Sequence, residues 1–294
     1  MPLKRHRYTY ENTGGTGHIG GSVLHTIYTA HPEWSITVLL RRVPETFTKC
    51  YPNVAIIQGD FDSSSLLSTN AEAADIVIHC GDSDHENSLN ALLSGLLNPS
   101  HTRLPPASQR YINIAIMCPP DIYGRSKSLA KVQSALIPMF VKHLRTANNG
   151  RAFYFKDGSN TRSWVHIDDL MRLYLRVVEA AASPMRYPAE EYFNRNGYYF
   201  AATQEYSQIE LATATADVLY RNGIVRDLEL EQIGLDKLDS MANLPGFPKL
   251  ARYLFASNSR TRPERAEKTF GYKGEAPGLM EVLEQDVLDA VGAT

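Results

Sequence analysis

The sequence has little cysteine, almost no net charge and no long apolar run, and each shortage removes a class of protein. The three cysteines, Cys50, Cys80 and Cys118, are odd in number and far apart. They cannot build a disulfide framework and show no zinc-ligand spacing. A net charge of −2 gives no electrostatic reason to expect a nucleic acid or an acidic membrane as partner. No apolar stretch is long enough to span a bilayer. The basic run Lys4-Arg5-His6-Arg7 is followed by no apolar signal core, so a cytoplasmic location is the expectation. Internal repeats and low-complexity tracts are missing as well. With 43% hydrophobic and 21% charged residues, the chain is not of the disordered kind. Its 294 residues suffice for a large core and one or two domains.

What is present begins with Thr13-Gly14-Gly15-Thr16-Gly17-His18-Ile19-Gly20. An apolar run at helical spacing follows: Ile19, Val23, Leu24 and Ile27. Glycines ahead of a helix turn the chain tightly and let backbone N–H groups approach a pyrophosphate. The helix start adds its partial positive charge. Gly14, Gly17 and Gly20 therefore read as a dinucleotide-binding turn, with Thr16, His18 and Ile19 between them. The spacing is G-x-x-G-x-x-G rather than G-x-G-x-x-G, and its context gives it weight. A strand, Arg7–Asn12, precedes it, although Glu11 and Asn12 are unusual in a buried parallel strand. A second strand, Ser35–Leu40, follows the helix.

Arg41 and Arg42 stand where an acidic residue would hold a ribose 2′-hydroxyl. An arginine there accommodates a 2′-phosphate instead, so NADP(H) is favoured, with NAD(H) as the alternative. Exposed charge without a ligand is the plainer reading of the pair. The third strand, Val54–Ile57, runs into Gly59-Asp60-Phe61-Asp62. Asp60 can accept from an adenine amino group, or Asp60 or Asp62 can cap the next helix. The fourth strand, Asp75–His79, leads to Cys80-Gly81-Asp82-Ser83-Asp84-His85-Glu86. This cluster is read as a capping box at Ser83 beside cofactor contacts from Cys80 and Gly81, not as a metal site. A helix at 87–97 follows, then a polar connection at 98–110.

A strand at 111–117 comes next, then the loop Cys118–Gly124. A helix at 129–146 is expected to be bent or interrupted near Pro138. A strand at 153–155 follows, and Trp164–Asp169 enters a helix at 170–182 capped by Asp168 or Asp169. A strand at 193–201, a helix at 206–222 and a looser helical tail broken at Gly246-Phe247-Pro248 complete the chain. Arg162 either contacts an anionic or polar substrate group or pairs with Asp168 or Asp169.

Taken in order, Thr13–Gly20, Gly59-Asp60, Pro120-Asp-Ile-Tyr-Gly124, Arg162-Ser-Trp-Val-His-Ile-Asp-Asp169, Ser257-Asn-Ser-Arg260 and Phe270-Gly-Tyr272 resemble the extended short-chain dehydrogenases. That group is also called the NAD-dependent epimerase/dehydratase family, and the likeness is nearest to its sugar-nucleotide epimerase-like reductases. The resemblance runs from Thr13 to about Lys273 and implies an α/β fold. Its core is a Rossmann-type doubly wound parallel sheet with order 3-2-1-4, the strand at 111–117 lying beyond the fourth. A smaller α-rich C-terminal lobe closes over a small-molecule substrate. The expected division is 1–124, with 160–202 returning to it, against 125–159 and 203–294.

The resemblance also exposes a gap. Family members carry a Ser or Thr at a strand end and a helix with Tyr-x-x-x-Lys between the helix near Leu97 and the strand near Tyr111. Only a dozen or so residues fill that interval here, the size of one long loop. One strand and one helix are missing, which also weakens the homodimer that the resemblance would allow. The surviving Tyr123-Gly-Arg-Ser-Lys127 has the right spacing but contains Gly124, a poor helix residue. By resemblance Tyr123 lines the substrate cleft and is not the proton donor. Three readings stay open. The first is an NADP(H)-dependent oxidoreductase or epimerase of weak activity on a small carbonyl or hydroxyl compound. The second is a catalytically dead, cofactor-binding sensor or partner-binding module. The third is a mis-spliced enzyme.

Overall fold

The computed structural model describes residues 9–98, 112–241 and 247–292, with side chains from Thr13 onward. The polar side chains of Glu11 and Asn12, the interval 99–111 and Gly246 lie outside the described residues.

The first half of the chain alternates strand and helix. β1 (Thr9–Thr13) passes through the glycine turn into α1 (His18–Ala30), β2 (Ser35–Leu40) and the short α2 (Phe47–Cys50). β3 (Val54–Gln58), α3 (Ser64–Ala73), β4 (Ile76–His79) and α4 (Glu86–Leu96) follow. The four strands form one parallel sheet in the order β3-β2-β1-β4. Register puts Thr13 opposite Leu39 on one side and His79 on the other, so three strand ends converge at the turn. In β2 the side chains of Ile36, Val38, Leu39 and Leu40 are all buried, as in a parallel strand covered on both faces. Helices α3 and α4 pack so closely that a Cβ on Gly95 would lie 2.1 Å from the Ser68 carbonyl oxygen.

The rest of the chain is shorter-stranded and richer in helix. β5 (Ile116–Cys118), β6 (Asp121–Tyr123), α5 (Leu136–Ala147), β7 (Phe153–Phe155) and β8 (Thr161–His166) lead into α6 (Ile167–Ala181). Next are α7 (Ala189–Tyr192), β9 (Tyr198–Phe200), β10 (Gln204–Ser207), α8 (Gln208–Arg221) and β11 (Glu231–Ile233). α9 (Leu235–Asp239), α10 (Leu250–Phe255), α11 (Glu264–Phe270) and α12 (Leu279–Gly292) end the described chain. The small sheets are β10-β8-β6, β11-β7 and β5-β9.

The chain divides into two compact units, 1–116 with 126–132 and 174–198, and 117–125 with 133–173 and 199–294. The expected division runs to 124 and returns over 160–202, whereas the first unit runs to 116, takes in 126–132 and returns over 174–198. Around Leu39, Leu67, Ala71, Ala91 and Leu92 lies a core of the first unit. The second unit is built on an aromatic cluster, with Phe140, Phe153 and Phe255 at ring-centre distances of 4.8–5.6 Å. Tyr123, Trp164 and Leu283 belong to the same core.

Several expected elements are corrected. Of the strand anticipated at 111–117, residue 111 lies outside the described residues, 112–115 are not strand, and Ile116–Cys118 pairs with β9 rather than lying beyond β4. The helix anticipated from residue 129 starts at Leu136, which places Pro138 in its first turn, where the missing N–H costs nothing. Only Tyr198–Phe200 of the run 193–201 is strand, because Asn194–Asn196 forms a 3-10 turn. The cap of α4 is His85, not Ser83. Its Nδ1 accepts the Ser88 N–H at 3.2 Å. For α6, the Asp168 N–H donates to His166 Nδ1, and neither Asp168 nor Asp169 caps the helix.

Candidate functional site

The glycine turn is fixed by backbone crowding. Gly14 has φ +82°, and a Cβ there would sit 2.6 Å from the Cys80 carbonyl oxygen. A Cβ on Gly20 would sit 2.3 Å from the Gly14 carbonyl oxygen. No L side chain fits at either position. The Gly17 N–H donates to the Gly14 carbonyl at 2.8 Å, and Gly17 then serves as the N-cap of α1. Among the described residues no side chain caps this helix, and its first turn carries no acidic residue. The positive end of a 13-residue helix therefore favours an anion.

Around the turn the three strand ends are cross-linked. The Cys80 N–H donates to the Thr13 carbonyl at 3.1 Å. Buried Thr13 meets His79 through Oγ1 and Nδ1 at 2.5 Å. The Cys80 thiol bonds the Tyr174 hydroxyl, and burial pushes it up to about 12, so it stays protonated near neutrality. Phe61 lies over Gly81, where a Cβ would come within 2.2 Å of its ring. Its ring centre is 5.6 Å from that of His79 and 5.8 Å from that of His85. The structure thereby brings Gly14, Gly17, Gly20, Phe61, Cys80 and Gly81 together, with Thr16 on the turn and Ile19 and buried His18 opening α1.

Three expected residues sit further out. Arg41 and Arg42 are exposed directly after β2, and neither has an ion-pair partner among the described residues. Asp60 is engaged in its own turn. Its carboxylate accepts from the Ser63 hydroxyl at 2.8 Å and the Asp62 N–H at 3.1 Å, and these bonds hold its pKa below the usual value. No group of acidic, cysteine and histidine side chains suited to a metal ion occurs among the described residues.

Tyr123 and Lys127 do not share a helix. Tyr123 ends β6, and Gly124 follows at φ +83°, held by a bond from its N–H to Asp286 at 2.9 Å. The Tyr123 side chain is fully buried. Its hydroxyl donates to the Pro277 carbonyl at 2.9 Å and accepts from Gln204 at 2.7 Å. Burial pushes the phenol far above its ordinary value. Arg162 is paired, but with Asp121 rather than Asp168 or Asp169. Its guanidinium grips both oxygens of that carboxylate and also bonds the Tyr253 carbonyl and the Ser257 hydroxyl. Asp169 is fully buried and receives Arg172 and the N–H groups of Glu275 and Ala276.

Comparison with known proteins agrees with this architecture. Residues 105–188 match the family model described as the NAD dependent epimerase/dehydratase family. UDP-glucuronic acid 4-epimerase of Bacillus cereus, solved with UDP-glucuronic acid and NAD, superposes with a TM-score of 0.60 at 14% identity, over 97% of this chain and 100% of that one. The dTDP-glucose 4,6-dehydratase DesIV of Streptomyces venezuelae, with NAD and TYD bound, gives 0.62 at 17%, over 95% and 96%. The PbgP3 protein of Burkholderia pseudomallei gives 0.64 at 12%, over 97% and 98%. The chain has the fold of the NAD-dependent epimerase/dehydratase family. Among curated proteins, oxidase ucsJ of Acremonium sp is 23% identical over 337 residues, covering 92% of this chain and 94% of the oxidase.

Within this epimerase/dehydratase fold, four features escaped the sequence reading. They are the Thr13–His79 link, the Tyr174–Cys80 contact, the Asp286 anchor on Gly124, and the seating of Ser128 on the glycine turn. Each joins residues 66 or more positions apart. Local periodicity carries no signal for such pairs. The one available hint was His79 itself, a polar residue closing an apolar strand.

Proposed function

We propose that the chain binds a nicotinamide dinucleotide, NADP(H) ahead of NAD(H), and that its oxidoreductase or epimerase-type activity on a small carbonyl or hydroxyl compound is weak or absent. The observation that carries the reading is the crowded turn at Gly14, Gly17 and Gly20 beneath an uncapped helix start. In this reading the N–H groups at the start of α1 hold the pyrophosphate. Phe61, Cys80 and Gly81 flank the adenosine half, and Asp60 stands at its rim. Arg41 and Arg42, free of ion pairs among the described residues, meet the 2′-phosphate. The similar structures described with NAD support the dinucleotide and leave its phosphate open. When bound, the nicotinamide accepts or delivers a hydride.

A proton donor must also stand within hydrogen-bond reach of the substrate oxygen. Tyr123 is a poor donor on three counts. Its hydroxyl is already spent on Pro277 and Gln204, burial raises its pKa, and Gly124 breaks the spacing to Lys127. We therefore assign Tyr123 to packing and give Lys127 no proton-relay role. Arg162, held by Asp121, is assigned to structure rather than to substrate. The likeness to ucsJ extends over more positions than this chain possesses, so that oxidase has residues with no counterpart here. This accords with a lost catalytic segment.

The test combines a thermal-shift assay with NADP+ and NAD+ and a hydride-transfer screen on UDP-glucuronic acid, UDP-glucose and dTDP-glucose. The expected result is stabilisation by NADP+ with little turnover, and less than about a twofold change in any residual rate on Tyr123→Phe. A loss of about 10²–10⁴-fold on that substitution is the mark of a removed general acid and would overturn the assignment. Absence of stabilisation by either nucleotide would overturn the binding reading.

A further inference from the structure

We propose that the segment Ser126–Val132 is a brace for the glycine turn and that Ser128 is its positioning residue. The proposal rests on the dinucleotide reading of that turn. The segment closes on itself first. The Ser126 N–H donates to the Val132 carbonyl at 2.9 Å and its hydroxyl to the Lys131 carbonyl at 2.7 Å. Ser126 Oγ in turn accepts the Ser128 N–H at 3.1 Å. Ser128 Oγ accepts the N–H groups of Ala130 and Lys131 at 3.2 and 3.1 Å. Its single proton goes outward, to the Thr16 carbonyl at 2.8 Å. A hydroxyl has one donor and two acceptor sites, so every one of them is used.

Two further contacts seat the brace on α1. The Lys127 N–H donates to Ser22 Oγ at 3.0 Å, and the Ser22 hydroxyl donates to the His18 carbonyl at 3.0 Å. Gly21 faces Ser128, and a Cβ there would lie 2.6 Å from the serine Cβ. The helix accepts the brace because this position has no side chain.

The consequence falls on one peptide group. The Thr16–Gly17 carbonyl is held by Ser128, and its N–H is held by the Gly14 carbonyl. A peptide unit is planar, so fixing both groups fixes the plane and the direction in which α1 begins. Orientation set before binding reduces what association costs. Ser128 acts through the turn and does not itself face a ligand.

Isothermal titration with NADP+ tests the brace, alongside ligand-free melting of each variant. Ser128→Ala should weaken binding about fivefold, the worth of one net hydrogen bond. Gly21→Ala favours the helix by propensity, so a comparable loss in that variant reports a displaced brace. Because both act on one seat, the double variant should bind no more weakly than the worse single variant. Lys131→Ala, an exposed side chain whose backbone alone joins the brace, should bind like wild type. Unchanged affinity in Ser128→Ala, or losses that add in the double variant, would overturn the proposal. Should Ser128→Ala fail to fold, wild-type affinity in Gly21→Ala would overturn it instead. A wild type that binds neither NADP+ nor NAD+ would remove the brace together with the dinucleotide reading, a result distinct from failure of the brace alone.

Discussion

Gly14 shows how a single residue sets the site. Its φ of +82° already excludes most side chains, and a Cβ would also press on the Cys80 carbonyl oxygen. Gly14→Ala should therefore cost more than the ~1–2 kcal/mol of left-handed strain alone. Urea unfolding should show the loss, and an unchanged midpoint would contradict it. The glycines were legible as a turn through their context, a strand before them and an apolar helical run after, since a glycine string alone is often only a flexible loop. Arg162 was legible only as a charge. Its partner, Asp121, lies 41 positions earlier and on another strand, whereas the acids expected to pair with it were merely near in sequence. Tyr123 shows the same limit. Its spacing to Lys127 could be read, but its bond to Pro277, 154 positions away, could not.

At the scale of elements, packing overrides propensity. In an exposed helix Gly→Ala gains about 1 kcal/mol. In α4, a Cβ on Gly95 would collide with backbone of α3, not with a yielding side chain tip. Overpacking of this kind costs about 1–3 kcal/mol, so Gly95→Ala should destabilise on balance. Chemical denaturation checks the sign, and a stabilised variant would show that α3 and α4 separate readily. The same precedence explains which elements could be read. The apolar runs of β2 and β3 announced strands and became strands. The alternation of Ile112, Ile114 and Ile116 announced another, yet a strand needs a partner as well as a pattern. Only Ile116–Cys118 finds one, in β9, and both Ile114 and Ile116 remain exposed at 42%. The capping device of α4 was misplaced by two residues because a histidine ring nitrogen did the work expected of Ser83.

The whole molecule carries a pH signature. His79, His25 and His143 are all held below the ordinary histidine value, chiefly by burial. Unfolded, each takes a proton near pH 6.5, before its folded counterpart does. Stability is then full above about pH 6.5 and falls as pH drops toward the folded values. Asp286, raised by burial, acts in the opposite sense, but it is one carboxylate against three histidines. The urea midpoint should be lower near pH 5.5 than near pH 7.5, and an equal or higher midpoint would contradict this. The order 3-2-1-4 of the parallel sheet was legible through the family resemblance, since β-α-β alternation alone also permits the order 2-1-3-4. The division into two units was not, since it depends on where the chain recrosses, and no composition shift marks that. The proposed function has the glycine turn hold NADP(H) and the arginines after β2 read its phosphate. Its most direct test is calorimetric titration of NADP+ and NAD+ into wild type and the Arg41→Ala/Arg42→Ala variant. A charge-assisted bond is worth about 1.5–3 kcal/mol, so the variant should lose at least about tenfold in NADP+ affinity and almost nothing for NAD+. Equal loss for both nucleotides, or no binding of either to wild type, would contradict the account.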